Sequence, residues 1–135
     1  MTRFSITMNQ ALDFILKATK NGHGAEIFIP EVKAYSLQQI VDILSSLTNS
    51  KEHQIIGMRP GEKQHESLIN SDEMRYAWSY ENMFVLLNEL HDDNNLEKTY
   101  PGIKKVKDLD VYSSDNAQLL TTDEITNNIK DLQLL

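Results

Sequence analysis

The sequence contains no cysteine. That excludes disulfide bonds, thiolate zinc sites and cysteine nucleophiles together. Glycine is sparse, at five residues, and proline sparser, at three. The chain holds no G-x-G-x-x-G fingerprint, no Walker loop and no G-x-S-x-G nucleophile elbow. Gly22 and Gly24 flank His23, but they follow a helical pattern and precede a strand pattern, the reverse of a dinucleotide-binding turn. No apolar run approaches the roughly 18 residues of a membrane span, and Met1-Thr2-Arg3-Phe4-Ser5 lacks the basic-then-apolar layout of a signal peptide. A cytoplasmic protein with no membrane contact is expected. Positive charge is in deficit, with 13 Lys+Arg against 20 Asp+Glu and a formal net charge of −7. A broad nucleic-acid surface is therefore not expected, although a local basic pocket is compatible with this balance. The four histidines (His23, His53, His65 and His91) stand at no metal-ligand spacing. After His65-Glu66, the place where a zinc helix needs its second histidine is Ile69. No metal site is expected.

What is present suits a globular domain. The 135 residues are 40% hydrophobic and 24% charged, the composition and size of a single domain over 1–135. A chain of this length buries roughly two-thirds of its unfolded surface without any staple. It is too short to join a nucleotide-binding α/β domain to a separate substrate domain.

Three capping boxes mark helix starts, each a hydroxyl residue followed three positions later by Gln or Glu: Thr7/Gln10, Ser36/Gln39 and Thr121/Glu124. The first precedes a stripe of Met8, Ala11, Leu12, Ile15, Leu16 and Thr19, which predicts a helix over 8–20, stopped by Asn21-Gly22 with Gly22 able to take positive φ. The second precedes Leu37, Ile40, Val41, Leu44 and Leu47, closed by Thr48-Asn49-Ser50. The third precedes Ile125, Ile129 and Leu132, giving a tail helix at about 122–133. Between them, 25–29 reads as a short buried strand ended by Pro30, and 54–58 reads as a second strand. Residues 65–69 read as one or two helical turns. Tyr76, Trp78 and Tyr80 alternate as in a strand or extended arm, and 81–90 fits either helix or strand. The stretch at about 91–110 has no period and reads as a long loop. The resulting fold class is α/β (α+β): a small mixed sheet with flanking helices.

Arg59-Pro60-Gly61-Glu62-Lys63 carries the clearest chemistry. Pro60 and Gly61 hold a tight turn at the end of the second expected strand, where ligands meet α/β sheets. Arg59 suits bidentate phosphate contact, Lys63 adds a point charge, and Glu62 suits a sugar hydroxyl. The plainer reading is a solvated turn. Tyr100 and Lys104 match a Tyr-x-x-x-Lys spacing, but Pro101 and Gly102 break the helix such a pair needs, so the match is coincidental. The aromatic triplet can stack a ring but more often forms a core or docking face.

Four stretches in this order resemble a known family: Met1-Thr2-Arg3-Phe4 with Thr7 and its helix; 24–30; the string Ile56-Gly57-Met58-Arg59-Pro60-Gly61-Glu62-Lys63-Gln64-His65-Glu66; and Tyr112-Ser113-Ser114-Asp115-Asn116 with 120–124. Together they resemble the C-terminal, substrate-binding part of CapD/FlaA-type nucleotide-sugar 4,6-dehydratases and epimerases. These are extended short-chain dehydrogenase/reductases, lyases and isomerases of capsule and other polysaccharide biosynthesis. Ser5 and Gln64 depart from the usual pattern, and 92–107 matches only loosely.

The resemblance implies a UDP-sugar (UDP-N-acetylglucosamine-like) ligand, with Arg59 at the diphosphate and Glu62 at a hydroxyl. Thr2, Arg3 and Phe4 would lie at the pocket edge, with Lys63 and His65 nearby, and the tail would pack on the body or on a neighbouring subunit. The family's NAD or NADP belongs to a Rossmann half whose motifs this chain lacks. The chain alone is not expected to catalyse the reaction, and none of its residues is assigned a catalytic role. A Rossmann-domain partner chain or a homo-oligomer is implied. The alternative is a non-catalytic interaction or regulatory module that retains the fold.

Overall fold

A computed structural model describes residues 1–50, 52–88 and 95–131. The chain divides into two compact units, one of residues 1–5, 33–66 and 114 onward, the other of 6–32 and 67–113. The class is the expected one, helices combined with small sheets.

In the first unit, β1 (Thr2–Phe4) pairs antiparallel with β3 (Ala34–Ser36), setting Thr2 opposite Ser36 and Phe4 opposite Ala34. Ser36 also caps α2 (Leu37–Thr48). Its hydroxyl accepts from the Gln39 amide at 3.1 Å while Gln39 Oε1 accepts from the Ser36 amide at 2.8 Å, the reciprocal box read from sequence. Asn49, at φ 54°, ends the helix in the left-handed conformation that Asn tolerates. The residue of α2 that is buried is Ile43, outside the expected stripe. The third box is also formed, and α5 (Thr122–Asp131) follows it, buries Ile125 and packs on α2. Leu132 and Gln133, at the end of the expected tail helix, lie outside the described residues. Ahead of α5 the tail lies on β3: the Ala34 amide donates to the Gln118 carbonyl and the Leu120 amide to the Ala34 carbonyl.

The strand expected at 54–58 does not form. These residues join no ladder, Gly57 among them takes φ 73°, and Ile55, Ile56 and Met58 are at 88, 66 and 59% exposure. β-propensity alone does not make a strand where no described neighbour supplies the facing ladder. The charged turn at 59–63 therefore sits on an exposed arm, not at a strand's end.

In the second unit, α1 (Met8–Asn21) starts at the Thr7 box as expected. Gly22 ends it with φ −72°, not positive, and donates to the Ala18 carbonyl. β2 (Ile27–Pro30) includes Pro30 and is an edge strand, not a buried one: Ile29 is buried while Ile27 is 59% exposed. Pro is tolerated there because an edge leaves one N–H without a ladder role. Residues 65–69 form no helical turn. Ser67–Ile69 is a strand, β4, paired with β8 (Tyr112–Ser113). The remaining elements are α3 (Ser71–Met74), β5 (Ala77–Tyr80), β6 (Met83–Leu86), α4 (Leu96–Thr99) and β7 (Lys104–Lys105). The four-stranded antiparallel sheet runs β2-β6-β5-β7. Glu81 and Asn82, at φ 45° and 60°, form the tight hairpin that makes 83–86 a strand. Of the expected loop at about 91–110, residues 91–94 lie outside the described residues and the rest includes α4 and β7.

The unit's core joins Tyr80, Met83, Val85, Leu87, Leu96, Tyr100 and Ile103, with Phe14, Phe28 and Trp78 packed against it. The aromatic triplet is thus mostly core. Lys105 Nζ lies 4.9 Å from the Trp78 ring centroid and the Arg75 guanidinium 5.1 Å from that of Tyr76. α1 reaches the core through Phe14, whereas Met8, Leu12, Ile15 and Leu16 are 75, 52, 56 and 68% exposed. The amphipathic stripe forms a helix as expected, but its face is not the one buried in this unit.

Candidate functional site

The expected site residues all fall in the first unit. The turn at 59–62 is closed twice. The Glu62 amide donates to the Arg59 carbonyl at 3.0 Å, and the Arg59 amide donates to Glu62 Oε2 at 3.0 Å. Gly61 sits at φ 82°, a conformation that L side chains rarely adopt. Glu62 therefore shapes the turn with one oxygen, while the Arg59 guanidinium and the Lys63 ammonium have no partner among the described residues.

The base of this arm is tied to β1. The Thr2 amide donates to the Gln64 carbonyl at 3.0 Å. Arg3 Nη2 donates to the Lys63 carbonyl at 3.0 Å, Nη1 to the Gln64 carbonyl at 3.3 Å, and Nε pairs with Glu66 Oε1 at 3.2 Å. The guanidinium thus acts as a clamp on main-chain oxygens and one carboxylate, which its planar fork of donors suits. Thr2 Oγ1 lies 2.7 Å from both His65 Nδ1 and Ser114 Oγ. Ser114, fully buried, also accepts from the Glu66 amide at 2.9 Å and donates its own amide to the Glu66 carbonyl at 2.8 Å.

Of the expected residues, Thr2, Arg3, Lys63 and His65 are brought into direct contact. Arg59 and Glu62 lie just along the same arm. Phe4 stands in β1 opposite Ala34, half-buried. Ser114 was not singled out from the sequence. The signal available was its place in the stretch Tyr112-Ser113-Ser114-Asp115-Asn116. Glu66 likewise appeared only as the end of the motif.

Chemically, the arm offers two cations, a carboxylate and an imidazole at a fixed base. Cations and hydrogen-bond donors of these types are the groups that suit an anion. The Tyr100/Lys104 pair is no second site. Tyr100 is buried after α4 and donates to Glu26 Oε1 at 2.6 Å, while Lys104 stands in β7. Nor do the residues fit a dinucleotide. Gly24, Gly57, Gly61 and Gly102 take positive φ, but none stands at a strand-to-helix turn, where a pyrophosphate cradle needs it. Among the described residues no His/Asp/Glu cluster suits a metal, and no helix is long and apolar enough to cross a membrane.

A family model described as "Polysaccharide biosynthesis protein" matches residues 1–88. The chain is 36% identical over 92% of its length to UDP-N-acetylglucosamine 4,6-dehydratase (inverting) of Campylobacter jejuni, covering 38% of that protein. It is 32% identical over 98% of its length to UDP-glucose 4-epimerase of Rickettsia bellii, covering 39% of it. Among solved structures it resembles Pen from Bacillus thuringiensis with a TM-score of 0.78 and 30% identity, over 100% of this chain and 40% of that one. The chain thus spans about two-fifths of the length of these relatives.

Proposed function

This chain belongs to the polysaccharide biosynthesis protein family of CapD/FlaA-type extended short-chain dehydrogenase/reductases, and on that premise we propose that it is the nucleotide-sugar-binding half of a cytoplasmic UDP-sugar 4,6-dehydratase or epimerase. The observation that carries the reading is the clamped arm: the base at 63–66 is fixed to β1, while the Arg59 and Lys63 side chains are exposed and have no partner among the described residues. Arg59 is assigned to the diphosphate and Glu62, through its second oxygen, to a hydroxyl. Lys63 and His65 complete the polar lining, and Thr2 and Arg3 hold the arm. NAD or NADP would supply the redox chemistry on a dinucleotide-binding half, which the residues here do not provide.

Titration of the chain with UDP-N-acetylglucosamine, followed by NMR, tests this. Shifts confined to 59–66 and β1 are expected, and no response at millimolar ligand overturns the reading. Arg59→Ala should weaken binding by about ten- to a hundredfold, since a charge-assisted phosphate contact contributes about 1.5–3 kcal/mol.

A second reading, a non-catalytic interaction module, is favoured by one observation. Met8, Leu12, Ile15 and Leu16 present an apolar face on α1 that is more than half exposed and that nothing among the described residues of its own unit covers. Such a face suits a protein partner. In the first reading that partner is a dinucleotide-binding chain. In the second, the chain binds a partner and no nucleotide.

A further inference from the structure

We infer that Ser114 and Thr2 are positioning residues whose hydroxyls form a one-way hydrogen-bond relay, fixing neutral His65 as the Nε2–H tautomer so that it donates outward. The direction follows from counting protons. Ser114 Oγ is fully buried and accepts from the Glu66 amide at 2.9 Å, a donor that cannot reverse and that occupies one of its two lone pairs. Its own proton has one acceptor in reach among the described residues, Thr2 Oγ1 at 2.7 Å. Were Thr2 to donate to Ser114 instead, the Ser114 proton would be left buried without an acceptor, an arrangement folded proteins avoid. Thr2 therefore accepts from Ser114, and with Ser114 already donating, its own proton has one acceptor in reach among the described residues, His65 Nδ1 at 2.7 Å. Nδ1 is thus an acceptor, and the ring proton of neutral imidazole must reside on Nε2.

Nε2 has no partner among the described residues, and His65 is partly exposed on the arm that carries Arg59. The relay thus converts an ambivalent ring into a dedicated donor, matched to an acceptor-only oxygen such as that of a phosphate. It also links the tail to the arm, because Ser114 lies 48 residues from Glu66 and 112 from Thr2 in sequence. The ligand half of this inference rests on the UDP-sugar reading. The tautomer half does not.

The test is long-range ¹H–¹⁵N correlation NMR of the full chain with ¹⁵N-labelled histidine, at a pH where His65 is neutral and with its signals assigned by loss in His65→Asn. The expected pattern is Nε2–H in the wild type and in Thr2→Ser, which keeps the hydroxyl. Thr2→Val and Ser114→Ala should give mixed or Nδ1–H tautomers, with folding checked by the remaining amide spectrum. An Nδ1–H wild type, or an Nε2–H tautomer unchanged in a folded Thr2→Val, overturns the relay. Should Ser114→Ala fail to fold, the Thr2 pair still decides. UDP titration of the same variants separates the two readings: Thr2→Val should weaken UDP several-fold while Thr2→Ser does not. A wild type with the expected tautomer but no UDP response overturns the ligand reading and leaves the relay standing.

Discussion

Tyr100 donates its phenolic proton to Glu26 across 74 residues of sequence, at 2.6 Å, joining the segment after α4 to the approach to β2. The ring is fully buried, lies edge-on to Tyr80 and His23, and belongs to the core of its unit. The carboxylate is already gripped by the amides of His23 and Gly24. Burial pushes against ionised Glu26, but the Tyr100 hydroxyl and these amides outweigh it and hold the carboxyl below its usual range. Tyr100→Phe keeps the ring and removes only the hydroxyl. Loss of a hydrogen bond to a charged group should cost about 1.5–3 kcal/mol, read as a lower denaturation midpoint with an unchanged m value.

The same contact sets an alkaline limit. Burial first, then the bond to Glu26 and its charge, push the Tyr100 phenol well above its ordinary value of 10.0. A group whose folded pKa is raised stabilises fully below its unfolded pKa and loses that contribution as pH rises through the folded one. Stability should therefore decline above about pH 10, the unfolded tyrosine value. Tyr100→Phe should flatten that decline in thermal melts from pH 8 to 11, and an equally steep curve would assign the effect to other groups.

Gly61 is placed where a side chain is strained by conformation alone, with open space around it. Gly61→Ala should cost about 1–2 kcal/mol at the turn. Because the arm is exposed, the expected result is little change in melting temperature and a weakened UDP response. A normal response would show that the turn need not hold this shape.

The apolar face of α1 yields the converse expectation. Leu12→Gln with Leu16→Gln should change the stability of the isolated chain by no more than about 0.5 kcal/mol, because both side chains are already exposed. The double variant should nevertheless lose association with a dinucleotide-binding partner, or self-association, measured by analytical ultracentrifugation. A large loss of stability would show that the face is covered within the chain.

The helices were readable because their signals are local. Thr7/Gln10, Ser36/Gln39 and Thr121/Glu124 each declare a start within four residues, and all three boxes are made. Strands depend on partners far along the chain. Residues 54–58 have strand composition and no described ladder, whereas 67–69 pairs with a segment more than forty residues later that no local pattern announces. The buried face of α1 is not legible in the sequence for a related reason: periodicity gives an apolar stripe, not what covers it. The arm's chemistry was readable in Arg59 and Glu62. The role of Ser114 was not, because a buried serine is identified only by what the fold sets beside it.

The arm is anchored through the main-chain carbonyls of Lys63 and Gln64 and not through their side chains. Any residue other than proline or a strained substitute presents the same two oxygens to Arg3 and to the Thr2 amide. Substitution at these two positions consequently changes what the arm displays to solvent while the scaffold beneath stays constant. The clamp makes the position of the arm independent of the side chains that it carries.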